Sequence, residues 1–247
     1  MCQGTKVAPL SHGVGRGEGG GGNIWYNPNM HAIFENAQAV LFDLDGTLAE
    51  TDIDFSKLRE ATLQLIAEYA IDPLPLRSLD VLGAMEQAAS ELRSAGRPEE
   101  AEELRKRAHA RLQAMEMAYC STPRPIPGAH DLLSMLKARG ARIGIVTRND
   151  RQVSLRTLEQ LRIPFDMLVS RDDVQNVKPH PQHILIALQE WHIAPEQCVV
   201  VGDYWMDVEA GRAAGCRTVG IWRRDVLLNP FRDHPPDVLV RDLRELL

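Results

Sequence analysis

Aromatic residues make up only 5% of the 247 positions, and positive charge is not in excess, the formal net charge being −6. A nucleic-acid surface needs a basic stripe with stacking rings set into it. Neither is expected here, so nucleic acid is set aside as a partner. Cysteine is scarce as well. Cys2, Cys120, Cys198 and Cys216 lie far apart with no C-x-x-C spacing, which argues against a zinc site and a disulfide framework and fits a reducing, cytoplasmic setting. No apolar run approaches the ~18 residues that cross a bilayer. No secretory signal is legible near the amino end, so no membrane partner is expected.

What is present is an ordinary globular composition, 44% apolar and 25% charged, enough for one ordinary domain or for one domain carrying a smaller inserted one. Residues 1–36 read as a flexible glycine-rich tail. "GRGEGG" (15–20) formally matches a dinucleotide fingerprint, but that motif needs a strand before it and a helix after it. Here proline and more glycine flank it. Met30 is an alternative start.

From Ala39 onward short apolar runs alternate with amphipathic stretches: "AVLFD" (39–43), "ARIGIVT" (141–147), "FDMLVS" (165–170), "CVVVGD" (198–203) and "RTVGIW" (217–222), with "DVLV" (237–240) as a possible edge. Runs of this kind suit strands covered on both faces. The pattern predicts a Rossmann-like parallel sheet built from 37–53 and 124–247. Helices are expected to start near Gly128, Asp150, Pro181 and Trp205. Between 54 and 123 no strand is legible. Three helical stripes replace it: Leu58, Thr62, Leu65 and Tyr69; Val81, Met85, Ala88 and Leu92; Leu104, Ala108, Leu112 and Met115. The charged "EELRKRAHAR" (102–111) is expected to be a solvated helix face with Glu102–Lys106 and Glu103–Arg107 pairs. A small helical insertion after the first strand is therefore expected.

Open parallel sheets bind ligands beyond the carboxyl ends of their strands. There the sequence places Asp43 and Asp45, then Thr147, Arg148 and Asn149, then Lys178, then Asp203 and Asp207. Crowded carboxylates raise one another's pKa, so a divalent cation is implied. An oxygen-only donor set suits Mg²⁺, and Mg²⁺ beside a lysine suits a phosphate substrate. Asp43 is then the candidate nucleophile and Asp45 the proton carrier, with Thr147 and Lys178 completing the catalytic set. Gly46, Thr47, Arg148 and Asn149 are the candidates for phosphate or substrate contact. His180 and His183 are expected in an exposed first helical turn rather than on a metal. Asp52, Asp54, Arg59 and His109 are undifferentiated substrate candidates.

"DLDGTL" (43–48), Thr147, Lys178 with Pro179, and "GDYWMD" (202–207) occur in the order of the four motifs of the haloacid dehalogenase-like hydrolases, which the chain resembles from about Ala39 to its end. The resemblance implies a Mg²⁺-dependent phosphatase acting on a small phosphorylated metabolite through an aspartyl-phosphate, similar to phosphoglycolate phosphatases. It implies Asp43, the backbone carbonyl of Asp45 and Asp203 as metal ligands, with Asp207 orienting a metal-bound water or Lys178. It also implies that the helical insertion is a mobile cap. Asp45 is absent from the family's dehalogenases, so it points to phosphate chemistry. A sugar-phosphate mutase and a non-catalytic scaffold are the alternatives.

Overall fold

Alternation along each apolar run decides the architecture. In the computed structural model, which describes residues 31–223, 226–231 and 233–247, Val40 and Phe42 of β1 (Ala39–Phe42) enter one core while Ala39 and Leu41 enter another. β6 (Cys198–Gly202) repeats this, with Val199 and Val201 on one side and Cys198 and Val200 on the other. A strand with a period of two and no polar side must be covered on both faces. The glycine-rich stretch and Met30 lie outside the described residues.

The remaining strands of the main sheet are β4 (Arg142–Val146), β5 (Met167–Val169), β7 (Arg217–Ile221) and β8 (Val238–Val240). Their order is β5-β4-β1-β6-β7-β8, all parallel. The fold is α/β and Rossmann-like. Helices α4 (Ala129–Ala138) and α5 (Arg151–Leu161) supply Leu132, Leu133, Leu136 and Leu158 to the first core. On the other face α6 (Gln182–Trp191) and α7 (Trp205–Ala214) supply Ile184, Ala187, Leu188 and Ala210. β1 is central, and the chain leaves it in opposite directions, toward β4 and β5 and toward β6 and beyond. The crevice at the carboxyl end of β1 is thus the switch point where such sheets take ligands.

After β1 the chain enters a two-stranded antiparallel ribbon that the sequence reading did not anticipate: β2 (Ala49–Glu50) pairs with β3 (Arg124–Pro125). Two residues per strand are too short to show a period. Beyond it lie α1 (Phe55–Ala67), α2 (Val81–Ser94) and α3 (Pro98–Tyr119). Asp54 and Asp80 cap α1 and α2 by accepting backbone N–H groups of the first turn, which is why those helices begin where they do. The three helices enclose a separate apolar cluster of Leu65, Ile66, Met85, Leu92 and Leu104 with small Ala84, Ala88, Ala101 and Ala108. The charged face of α3 is exposed, as expected. Its ion pairs run between helices, Arg107 to Glu68 and Arg105 to Glu86, with a longer one inside α3 from Arg105 to Glu102 at 4.0 Å; close packing of the three helices gives Arg107 a partner other than the expected Glu103.

Candidate active site

The tight loop after β1 is held by Leu48 and Ala49 N–H donating to Leu44 O and by Gly46 N–H donating to Ala49 O at 2.8 Å. Gly46 has φ +80°, and a Cβ there would lie 2.1 Å from Asp203 Oδ2. Only glycine both adopts that backbone and lets Asp203 approach. The loop turns Asp43 and Asp45 to different neighbours. Asp43 joins Asp203 and Asp207, one carboxylate oxygen of each lying within 4.8 Å of the other two. Asp45 faces away from that cluster: Thr51 Oγ1 donates to its Oδ1 at 2.7 Å and Asn149 Nδ2 donates to its Oδ2.

Lys178 is the cation of the cluster. Its Nζ donates to Asp43 Oδ1 at 2.7 Å, to Asp207 Oδ1 at 2.6 Å and to the carbonyl of Val146 at 2.7 Å, and the residue is 2% exposed. Burial acts to lower the pKa of its ammonium, but Asp207 and Asp43 hold it above the ordinary lysine value. The carboxyls respond oppositely. Burial, then Asp43 and Asp207, push Asp203 well up. Asp207 is raised to about 6, by burial against the opposing pull of Lys178. Asp45 is raised to about 7, again chiefly by burial, with Thr51 working against it and Asp43 adding to it.

Three carboxylates facing one lysine leave the cluster short of positive charge. All of the side-chain donors are oxygen, and Lys178 occupies one oxygen each of Asp43 and Asp207. The arrangement suits a small hard cation such as Mg²⁺.

Other residues expected at this rim fall into two groups. Thr147, Arg148 and Asn149 line a cavity of about 400 Å³ above the cluster, together with Asp43, Asp45, Lys178, Asp203 and Asp207. Thr147 Oγ1 accepts from Asn149 N–H at 3.2 Å, leaving its hydroxyl hydrogen free to donate. Thr47 is buried beneath, its hydroxyl donating to Asp203 at 3.3 Å. Of the undifferentiated candidates, Arg59 lines the cavity. Asp54 instead caps α1, and Asp52 reaches Arg124. His109 is half-buried, and its pKa is lowered by burial and by the charge of Arg171.

His183 corrects an expectation. It is fully buried, with Nδ1 accepting the backbone N–H of Lys178 at 3.1 Å, and burial and the Lys178 charge push its pKa down to about 3. A neutral imidazole fixes the lysine loop from behind. The helical register of "KPHPQH" could have placed it inward, whereas His180 is exposed.

Sequence reasoning missed the residues that the insertion sends toward the cavity. Glu116 of α3 pairs with Arg171, which follows β5, at 2.6 Å with both side chains almost wholly buried. Asp80 pairs with Arg148, and Gln113 donates to Asp150 at 2.8 Å. A lone Glu on a helix and a lone Arg after a strand carry no spacing signal. Only a polar residue on the apolar stripe, Glu116 four positions after Leu112, could have hinted at it.

Residues 40–221 match the model of the haloacid dehalogenase-like hydrolase family. A phosphoglycolate phosphatase of Escherichia coli (strain K12) is 29% identical over 234 residues, covering 87% of this chain and 92% of the relative. Among solved structures, CbbY from Rhodobacter sphaeroides in complex with phosphate superposes with a TM-score of 0.56 at 23% identity, over 85% of this chain and 96% of that one. A beta-phosphoglucomutase from Clostridium difficile does so with a TM-score of 0.54 at 19% identity, over 85% and 93%. Those likenesses concern the fold.

Proposed function

The chain belongs to the haloacid dehalogenase-like hydrolase family, and from that premise we propose that this phosphatase hydrolyses a small phosphomonoester with Mg²⁺, in the manner of the phosphoglycolate phosphatases it is similar to. The observation that carries the reading is the division of two neighbouring acids. Asp43 lies in the cluster with Lys178 at 2.7 Å, while Asp45, two residues on, is held apart with a pKa of about 7.

Asp43, Asp203 and the backbone carbonyl of Asp45 would hold Mg²⁺, with Asp207 beside them. When bound, the ion supplies positive charge that offsets the carboxylates and the oxygens of the transferring phosphoryl group. Lys178 cannot swing away, since Val146 and Asp207 fix it, so it presents constant charge to Asp43 and to an incoming phosphate. Asp43 attacks phosphorus with an unprotonated oxygen, forming an aspartyl-phosphate as the ester oxygen departs. Asp45 gives that oxygen its proton, and afterwards takes a proton from the water that cleaves the acyl phosphate. A carboxyl that titrates near 7 can serve in both directions. Thr147 donates to a phosphoryl oxygen. The helical insertion acts as a cap over the cavity and shields the acyl phosphate between steps, and the enzyme works in the cytoplasm.

Phosphate release from a panel of small esters, with and without Mg²⁺ and with Asp43→Asn as control, tests this. Metal-dependent release that the substitution ends is the expected result. Conversion of a sugar phosphate to its isomer without free phosphate would indicate transfer instead, and no reaction of either kind would leave a scaffold.

A further inference from the structure

Lys178 is held at both ends of its side chain, and the two ends are held differently. At the tip, Nζ donates to Asp43, to Asp207 and to the carbonyl of Val146. At the root, the backbone of Lys178 lies outside every strand and helix, so no ladder or helical turn sets its place. The first turn of α6 does this with two side chains. Gln182 Oε1 accepts the backbone N–H of Asn176 at 2.9 Å, an exposed contact. His183 Nδ1 accepts that of Lys178 at 3.1 Å in the interior.

A histidine is a costly side chain for that place. His183 is wholly buried, and a ring that accepts through Nδ1 while neutral carries its proton on Nε2. Nε2 is turned toward the carbonyls of Val169 and Ser170 but hydrogen-bonds to neither. Buried donors are nearly always met. An aliphatic side chain would avoid the unmet donor on the ring, and would leave the N–H of Lys178 unmet instead. The imidazole's one hydrogen bond therefore goes to the backbone of the cation of the acidic cluster.

A lysine stem is flexible along four carbons, so freedom at the root becomes freedom at the tip when an acceptor there changes. On the phosphatase reading Asp43 is such an acceptor, because it ceases to be a free carboxylate while it carries the phosphoryl group. Resting on that reading, we propose that His183 is a positioning residue of the reaction: it acts through Lys178, keeping Nζ in place while the phosphoryl group passes onto Asp43 and off it. His183 itself is not among the residues that line the cavity.

Asparagine and leucine at this position separate the hydrogen bond from the packing. Both branch at Cγ and both leave the outer part of the ring's place empty. The Oδ1 of asparagine stands two bonds from Cβ, as Nδ1 does, and accepts an N–H; leucine offers a methyl group there. The test measures kcat and KM of the full chain with Mg²⁺ on 4-nitrophenyl phosphate, whose leaving oxygen needs no proton from Asp45. Unfolding midpoints and exchange of the Lys178 amide hydrogen are recorded alongside. His183→Leu is expected to lower kcat about ten- to a hundredfold, with KM changed less than about threefold, and to speed exchange of that amide. His183→Asn is expected to restore kcat to within about threefold of the unaltered enzyme and to keep the amide protected. Should His183→Leu fold poorly, His183→Gln takes its part: its amide reaches the place of Nε2 instead of Nδ1, and kcat should fall likewise. Equal kcat in the folded asparagine and leucine or glutamine variants, or a loss carried by KM alone, would overturn this assignment alone. No release by the unaltered chain from this ester or from the panel above would overturn the phosphatase reading and this assignment with it.

Discussion

The parallel sheet and the helical insertion are stabilised by different means, and the difference assigns them different work. In the sheet, hydrogen-bonded strands with apolar side chains on both faces leave little freedom, so Asp43, Thr147 and Asp203 emerge from β1, β4 and β6 at positions set by the ladder. The insertion has its own small core of Leu, Met and Ala, and it reaches the sheet's rim through polar pairs: Arg148 with Asp80, Arg171 with Glu116 and Gln113 with Asp150. Polar contacts of this kind can be exchanged for water, whereas an apolar seam cannot without large cost. On the phosphatase reading proposed above, the chemistry sits on the sheet's rim and the insertion covers it.

The sharpest break would come from the sheet's own acids. Asp43→Asn should keep the fold and lower phosphate release about a thousandfold or more, since the amide is nearly isosteric and a far poorer nucleophile. Single-turnover assays with an unfolding curve check this. Asp45→Asn should cost about 10²–10⁴ in kcat, with the loss smallest for esters of acidic alcohols, whose leaving oxygen needs no proton. If an insertion variant such as Glu116→Ala stopped turnover as completely as Asp43→Asn, the division between the two regions would fail.

Glu116→Ala addresses stability at the boundary. It strands Arg171 as a buried charge and should destabilise by about 3–5 kcal/mol, read in urea as a lower midpoint. Within the insertion, Arg107→Ala removes a pair whose partners are nearly half exposed. It should leave the urea midpoint nearly unchanged.

The acidic cluster adds a pH test of the sheet side. Asp45, Asp203 and Asp207 have raised pKa values, so the folded chain retains protons that the unfolded chain has released. Their effect is neutral below the ordinary value near 3.8, and stability then falls as pH rises through about 6 and 7. Metal-free protein should thus show a Tm that declines over this window. Mg²⁺ should raise Tm at about pH 7.5 and much less near pH 5, where protons compete for the same oxygens.

The amino-acid sequence by itself determined the parallel sheet, the helical character of 54–123 and the rim of acids and lysine, because apolar period and motif spacing are local properties of the chain. The ribbon formed by β2 and β3 left no such trace, each of its strands being two residues long. Only the tertiary structure decided how the acids are shared out. Asp45 turns to Thr51 and Asn149, Thr47 supports Asp203 from beneath, and His183 is buried behind Lys178. It alone brought Glu116 to Arg171, 55 positions away in sequence. Such pairings depend on where helices pack and what water they exclude, and burial, which sets the pKa of each acid, has no expression in the order of residues until the chain has folded.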